Sequence, residues 1–328
     1  MTMKLFAKLL TVIATALTLA AAAVDFPSKP VQLILPYGAG GPTDLMARIV
    51  TSCLSPRLKQ PVVVLNRPGA NGQLAAKAVK TAAPDGHTLL LAASAMVTDL
   101  VTTESPTFDP REDLEPITKL AYGIQGVFVN AALPINSMND LIAYVKSRPG
   151  QLNYATAGIG SVNHLSTEAL MLTSGIKIVH VPYAQGTGPL LNALMSGEVQ
   201  LVLTDLNGVQ AALDTGKVRL IAVLTKDRMR SRPNVPTVIE SVPAMAAYTG
   251  TLWYGFFAPP KTPKDVVQKA HEVVTGCLKD GEVRASLNKI GYDDEQIVAN
   301  TPEQFRTSIV EDVNRLKDIV QRANLKLR

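Results

Sequence analysis

The chain has 328 residues, enough for two domains at roughly 100–200 residues each. With 47% hydrophobic and 18% charged side chains it excludes a disordered chain, a charged coiled coil and a collagen-like repeat. Its net charge of +5 is too small over this length to steer nucleic acid unless it is clustered. Two of those charges, Lys4 and Lys8, precede the apolar run LLTVIATALTLAAAA, which closes on Ala21 and Ala23 at A-x-A spacing. That layout predicts a secretory signal peptide over residues 1–23, since the run is short of the ~20 residues a spanning helix uses. The mature product is then expected to be soluble, exported and less basic.

Beyond the leader, apolar β-branched runs alternate with helix-period patterns, the grammar of a mostly parallel α/β sheet. Val31 to Leu35 reads as a strand, and Pro42 and Thr43 open a helix carrying Leu45, Met46, Ile49, Val50, Cys53 and Leu54 on one face. Val62 to Leu65 and Thr88 to Ala92 are further strands, the second entered by the Asp85-Gly86 turn. The pattern restarts near residue 125, with strand Gly126 to Asn130, helix Met138 to Ser147, strand NYATA and a helix bearing Leu165, Ala169 and Leu172. Strands Ile178 to Val181, Val199 to Thr204 and Val218 to Leu224 follow, with helices over Pro189 to Met195 and Val209 to Leu213. A Pro-rich connection from Arg232 to Pro243 leads to the extended WYGFFAPP, and amphipathic helices Lys264 to Lys279 and Pro302 to about Arg322 finish the chain. The restart predicts two α/β lobes, residues 24–124 plus 251–328 and residues 125–250, with the final helices packing back on the first. Cys53 and Cys277, the two cysteines, leave a disulfide and a pair of buried thiols both open.

Two strand-to-helix turns are rich in glycine: Tyr37-Gly38-Ala39-Gly40-Gly41 before Thr43, and Ala157-Gly158-Ile159-Gly160-Ser161 before His164. In an open α/β sheet such turns sit where ligands bind, and glycine lets backbone N–H groups and helix starts approach an anion without a formal cation. Each could also be a plain tight turn, but one in each lobe favours a ligand in a cleft between them. GAGGPT departs from a dinucleotide fingerprint, because Thr43 replaces the third glycine and the second strand ends in Asn66 rather than an acid. G-x-S-x-G and P-loop patterns are absent, and His87, His164, His180 and His271 have no metal-ligand spacing. Asp44 is expected to cap a helix; for Asp205 and His164 a ligand-facing and a structural role stay open.

The segments SKPVQLILPYGAGGPTDLMAR, PVVVLNRPGANG, APDGHTLLL, NYATAGIGSVNHLSTEAL, HVPYAQGTGPLLNALMSGEVQLVLTDL, GKVRLIAVLTKDR, PNVPTVIES and WYGFFAP, in this order, resemble the Bug-type periplasmic substrate-binding family of tripartite tricarboxylate transporters. The resemblance implies an α/β, two-lobed type II periplasmic binding-protein fold with two crossover strands. It further implies a monomeric receptor without cofactor or metal that closes on a small organic mono- or dicarboxylate and delivers it to a membrane permease. Carried over by position, the ligand site comprises Tyr37, Gly38, Ala39, Gly40, Gly41 and Thr43 in one lobe, Ala157, Gly158, Gly160, Ser161, His164 and Asp205 in the other, and Ser94 and Ala95 after the third strand. SAMVTDLVTTES departs from the family's Asn-Pro-rich form at that third-strand loop. The alternatives are a secreted α/β hydrolase or transferase using Asp205 and His164, and a partner that presents ligand to a membrane sensor.

Overall fold

A computed structural model describes residues 26–40, 42–69, 72–183, 187–249 and 252–325; the leader expected over residues 1–23, and Gly41, lie outside them. The apolar runs form two five-stranded sheets. The first has the order β2 (Val62–Asn66), β1 (Val31–Leu35), β3 (Thr88–Ala93), β10 (Trp253–Ala258), β4 (Glu115–Tyr122). The second has the order β7 (Val179–Pro182), β6 (Asn153–Thr156), β8 (Leu201–Asp205), β5 (Gln125–Asn130), β9 (Val218–Val223). Strands buried on both faces are near-continuous apolar runs, as in LLLAA of β3 and FVN of β5.

Each sheet receives one strand of reversed direction, and these strands lie beside the crossovers. The chain leaves the first sheet after β4 and enters the second at β5 with only Gly123 and Ile124 between, then returns through Leu252 into β10. The two crossings run side by side: the Gly123 amide donates to the Leu252 carbonyl at 3.0 Å. A Cβ at Gly123 would lie 2.4 Å from Leu252 Cδ2 and 3.0 Å from Asp205 Oδ2, so a side chain there would have to displace that of Leu252.

Helices cover both sheets. In the first lobe α1 (Pro42–Leu58) packs against α9 (Lys264–Leu278) and α10 (Gly281–Lys289), and the Cys53–Cys277 disulfide joins α1 to α9. Of the two states left open for the cysteines, the structure shows the bridge. Helix α2 (Gln73–Lys80) buries Ala75, Ala76 and Val79. SAMVTDLVTTES, legible as a departure but not as an element, folds as α3 (Ala95–Thr102), which buries Met96 through Thr102. In the second lobe α4 (Met138–Lys146), α5 (Val162–Ser174), α6 (Thr187–Ser196) and α7 (Gln210–Asp214) flank the sheet. The Pro-rich connection is more ordered than expected: Thr237 and Glu240 form a capping box on the short α8 (Val238–Ser241). The final helix, α11 (Pro302–Arg322), opens with the Thr301/Gln304 capping box and buries Phe305, Ile309, Val313, Leu316 and Ile319. It packs on α3 and β4 and also on α5, so it touches elements of both sheets' layers.

Candidate functional site

Strand direction decides which loops meet. β10 begins at the crossover and runs antiparallel to β3, with Tyr254 paired to Ala93, so β3 and its parallel neighbour β1 end at the crossover. In the second lobe β5 begins at the crossover and is antiparallel to β8, with Gln125 paired to Asp205, so β8 and its parallel neighbour β6 end there too. Both glycine turns, after β1 and after β6, therefore lie at the carboxyl ends of strands that finish near the crossover, the position at which open α/β sheets bind ligands.

In the first turn the organising group is the buried Asp44 carboxylate. Its Oδ2 accepts the Gly40 amide at 3.0 Å and Arg48 Nε at 2.9 Å, while its Oδ1 accepts Arg48 Nη2 at 3.1 Å and Asn66 Nδ2 at 3.0 Å. The Arg48 guanidinium, helped by the Gly40 amide and Asn66, holds the carboxyl at a pKa of about 2. Asp44, expected to cap the helix, sits within the first turn of α1 and folds the preceding glycine turn back on the helix. Asn66 Nδ2 also donates to the Tyr37 carbonyl at 2.9 Å, which ties the turn to the end of β2. Gly38, Ala39 and Gly40 are exposed and Thr43 is buried. Gly40 has φ +80° with open space where a side chain would stand, so backbone conformation rather than crowding requires glycine. Burial pushes the Tyr37 phenol up to about 12, against the pull of the Ala93 backbone, which places Tyr37 beside the end of β3. Ser94 follows directly; it is buried, and its Oγ has no hydrogen-bond partner among the described residues. Ala95 opens α3.

The second turn is held from within by its own side chains. Ser161 caps α5, and its Oγ lies 2.6 Å from the Gly158 carbonyl. The Gly158 amide donates to Thr156 Oγ1 at 3.2 Å, the Ala157 amide to Asn163 Oδ1 at 3.3 Å, and the Gly160 amide to His164 Nδ1 at 3.1 Å. Gly158 and Gly160 take φ of +123° and +76°. These amides, like that of Gly40, were expected to point at an anion. Here they set the shape of the turns, because a buried or half-buried N–H takes the nearest acceptor its own loop supplies.

Behind this turn lies a cluster that the sequence does not announce. His164 and His180 stack with centroids 4.2 Å apart, Tyr154 stacks on His180 at 4.9 Å, and the Tyr154 hydroxyl donates to Glu168 Oε1 at 2.7 Å. The signals were the i, i+4 spacing of His164 and Glu168 and the β6–β7 register, which pairs Tyr154 with His180. Asp205 is reached by the opposite lobe: its Oδ2 accepts the Tyr254 hydroxyl from β10 at 2.9 Å, and its Oδ1 accepts the Asn207 amide at 3.1 Å. Burial pushes its carboxyl up to about 6 against those two bonds. Tyr254, another residue without a sequence signal, makes Asp205 an interlobe contact. Of the two residues the enzyme alternative would use, Asp205 accepts from Tyr254 and Asn207, and His164 accepts the Gly160 amide. Among the described residues no helix is long and apolar enough to cross a membrane, and no group of three or more His, Cys, Asp or Glu could hold a metal ion.

Comparison with known proteins agrees with this geometry. A family model described as the tripartite tricarboxylate transporter family receptor matches residues 46–325. The chain is 32% identical to Protein BugT of Bordetella pertussis over 319 residues, covering 96% of each chain. Among solved structures it is similar to MatC from Rhodopseudomonas palustris with bound malate, at 31% identity and a TM-score of 0.76 over 90% of this chain and 100% of that one. An R. palustris protein solved with adipate gives 29% identity and a TM-score of 0.80 over 92% and 99%.

Proposed function

Since the chain belongs to the receptor family of tripartite tricarboxylate transporters, we propose that it is an exported, non-enzymatic solute receptor that closes its two lobes on a small organic mono- or dicarboxylate and passes it to a membrane permease. The observation that carries this is the pair of glycine turns, one per lobe, ending parallel strands on either side of a two-strand crossover. Rotation about the crossover brings the turns together, the hinge closure open to two lobes linked by short segments. The lobes are taken as residues 24–124 plus 251–328 and residues 125–250. The leader layout of residues 1–23 supports export to the periplasm. Relatives solved with malate and adipate support a carboxylate as cargo. The ligand residues proposed are the fourteen turn and strand-end positions named from the sequence, Gly41 among them though it lies outside the described residues. Their role is to present a preformed polar surface, with the starts of α1 and α5 adding partial positive charge. A monomer suffices for this mechanism.

The test is thermal denaturation of the mature protein with a panel of mono- and dicarboxylates, together with mass spectrometry of ligand released from the purified protein. A carboxylate at 100 times its dissociation constant stabilises by ~2.7 kcal/mol and raises Tm visibly. A panel without any shift, alongside turnover of an ester or amide, overturns the receptor reading in favour of a hydrolase.

A further inference from the structure

We infer that His164 is the residue that positions the second glycine turn, in its neutral form protonated at Nε2, so that acidification through the histidine range loosens the turn and weakens ligand binding. This rests on the receptor reading above. A neutral imidazole carries one proton, and the ring nitrogen that accepts a hydrogen bond is the one without it. The Gly160 amide donates to Nδ1 at 3.1 Å, so the ring proton sits on Nε2, which lies 3.6 Å from Glu168 Oε1. A second proton lands on Nδ1, sets N–H against N–H, and removes the acceptor of a buried amide. Gly160 holds φ +76°, one of several backbone conformations open to glycine, so it is the hydrogen bond to Nδ1 that selects this one.

His180 supports the same turn one glycine earlier. Its Nε2 lies 2.6 Å from Thr156 Oγ1, the atom that accepts the Gly158 amide. Two stacked imidazoles thus stand behind two positive-φ glycines of the turn that follows β6. Among the described residues the titratable groups shown around His164 are Glu168 on its own helix, Tyr154 on β6 and His180 on β7. Glu168 favours the charged ring, but the Tyr154 hydroxyl donates to that carboxylate and tempers its pull. Burial pushes His180 down, and two rings 4.2 Å apart do not both take a charge readily, so one proton enters the pair at a time. The sign follows from linkage: affinity is full above the ring's pKa and is lost as pH falls through it, approaching tenfold per pH unit.

The experiment is calorimetric titration of the mature protein with malate and with adipate between pH ~6 and ~8; Asp205, pushed up to about 6, titrates at the acid end of this window in every variant, so the histidine contribution is read as the difference between wild type and His164→Gln. Wild type is expected to weaken toward the acid end, approaching tenfold per pH unit. His164→Gln, whose amide oxygen can accept the Gly160 N–H but does not titrate, is expected to lose less of whatever affinity it has toward the acid end than wild type does. A flat wild-type profile, or an equal fall in both proteins, overturns the inference. If neither ligand binds at any pH, the carboxylate reading is what has failed for these two probes. Nitrogen-15 NMR of the ligand-free protein then decides the inference: the Gly160 amide moving with the His164 ring midpoint upholds it, and a Gly160 amide indifferent to that midpoint overturns it.

Discussion

Asp44 shows how one side chain sets a binding surface without facing a ligand. Its carboxylate gathers the Gly40 amide, Arg48 and Asn66, so Asp44→Ala takes the shared acceptor from a backbone amide, a guanidinium and a side-chain amide. The expected cost is about 1–3 kcal/mol in denaturant unfolding near pH 7, together with weaker ligand binding. Because its folded pKa is about 2 against 3.8 in the unfolded chain, its contribution is full above pH 3.8 and lost as pH falls through 2. The variant's stability is expected to lose less than wild type's over that acid window. Lys119 is the opposite case. It is buried on β4 with its Nζ 4.6 Å from the Tyr122 ring centroid and 5.6 Å from that of Trp253, and burial lowers its pKa to about 8 from 10.5. The folded state holds this proton less tightly than the unfolded one, so unfolding free energy gains a rising contribution between pH 8 and 10.5. Lys119→Met is expected to remove that rise, read by urea unfolding from pH 7 to 10; an unchanged slope would show that another group carries it.

At the level of elements, α1 carries the first glycine turn, and its far end is fixed by the Cys53–Cys277 bridge to α9 across 224 residues of chain. A closed loop of that length restricts the unfolded chain strongly. Replacing both cysteines by serine is expected to lower stability by about 2–5 kcal/mol in denaturant titration. The second turn depends on glycine itself. Gly158 sits at φ +123° with no atom within 4 Å of the point where a Cβ would stand, so Gly158→Val meets strain but not collision. The protein is expected to stay folded by circular dichroism, at a cost of about 1–3 kcal/mol, and to lose carboxylate affinity by calorimetry. Unchanged affinity would remove this turn from the site. The longer helices and the strands other than β4 were readable from apolar periodicity; β4, EPITKLAY, mixes polar and apolar residues without a clear alternation although it is almost wholly buried. Helices α2, α3 and α10 were not readable either, since Ala-rich, uniformly buried or short segments give no clear period, and tertiary burial decides them.

Across the whole molecule, the lobes meet through α11, which packs on α3, β4 and α5, and through polar contacts near the crossover. The Tyr254 hydroxyl of the first sheet meets Asp205 of the second, and the segment after β9 reaches the first lobe through Ser231 to Asp293 and the Arg230 amide to Glu295 at 3.2 Å. Tyr254→Phe takes a hydrogen bond from the Asp205 carboxylate, so the Asp205 pKa is expected to rise above about 6. Small-angle scattering is expected to show a ligand-dependent decrease in radius of gyration for wild type and a shifted open-to-closed balance for this variant. Identical profiles for the two proteins would separate this contact from closure.

The local grammar is a property of the sequence alone: which runs become strands, where glycine punctuates them, that the pattern restarts once, and that a leader layout precedes it. Those features depend on neighbours within a few residues, which a linear reading sees. Both turns are placed at strand ends in the same way, but it is the packed fold that brings both strand ends to the crossover, because strand direction in a sheet follows from pairings such as Tyr254 with Ala93 and Gln125 with Asp205. Asp44, His164 and Asp205 stand out in the sequence with their roles divided. The partners that decided those roles, Asn66, His180 and Tyr254, lie 22, 16 and 49 positions away. Spacing of that kind has no local signature, and it takes tertiary packing to bring such groups within hydrogen-bonding or stacking distance.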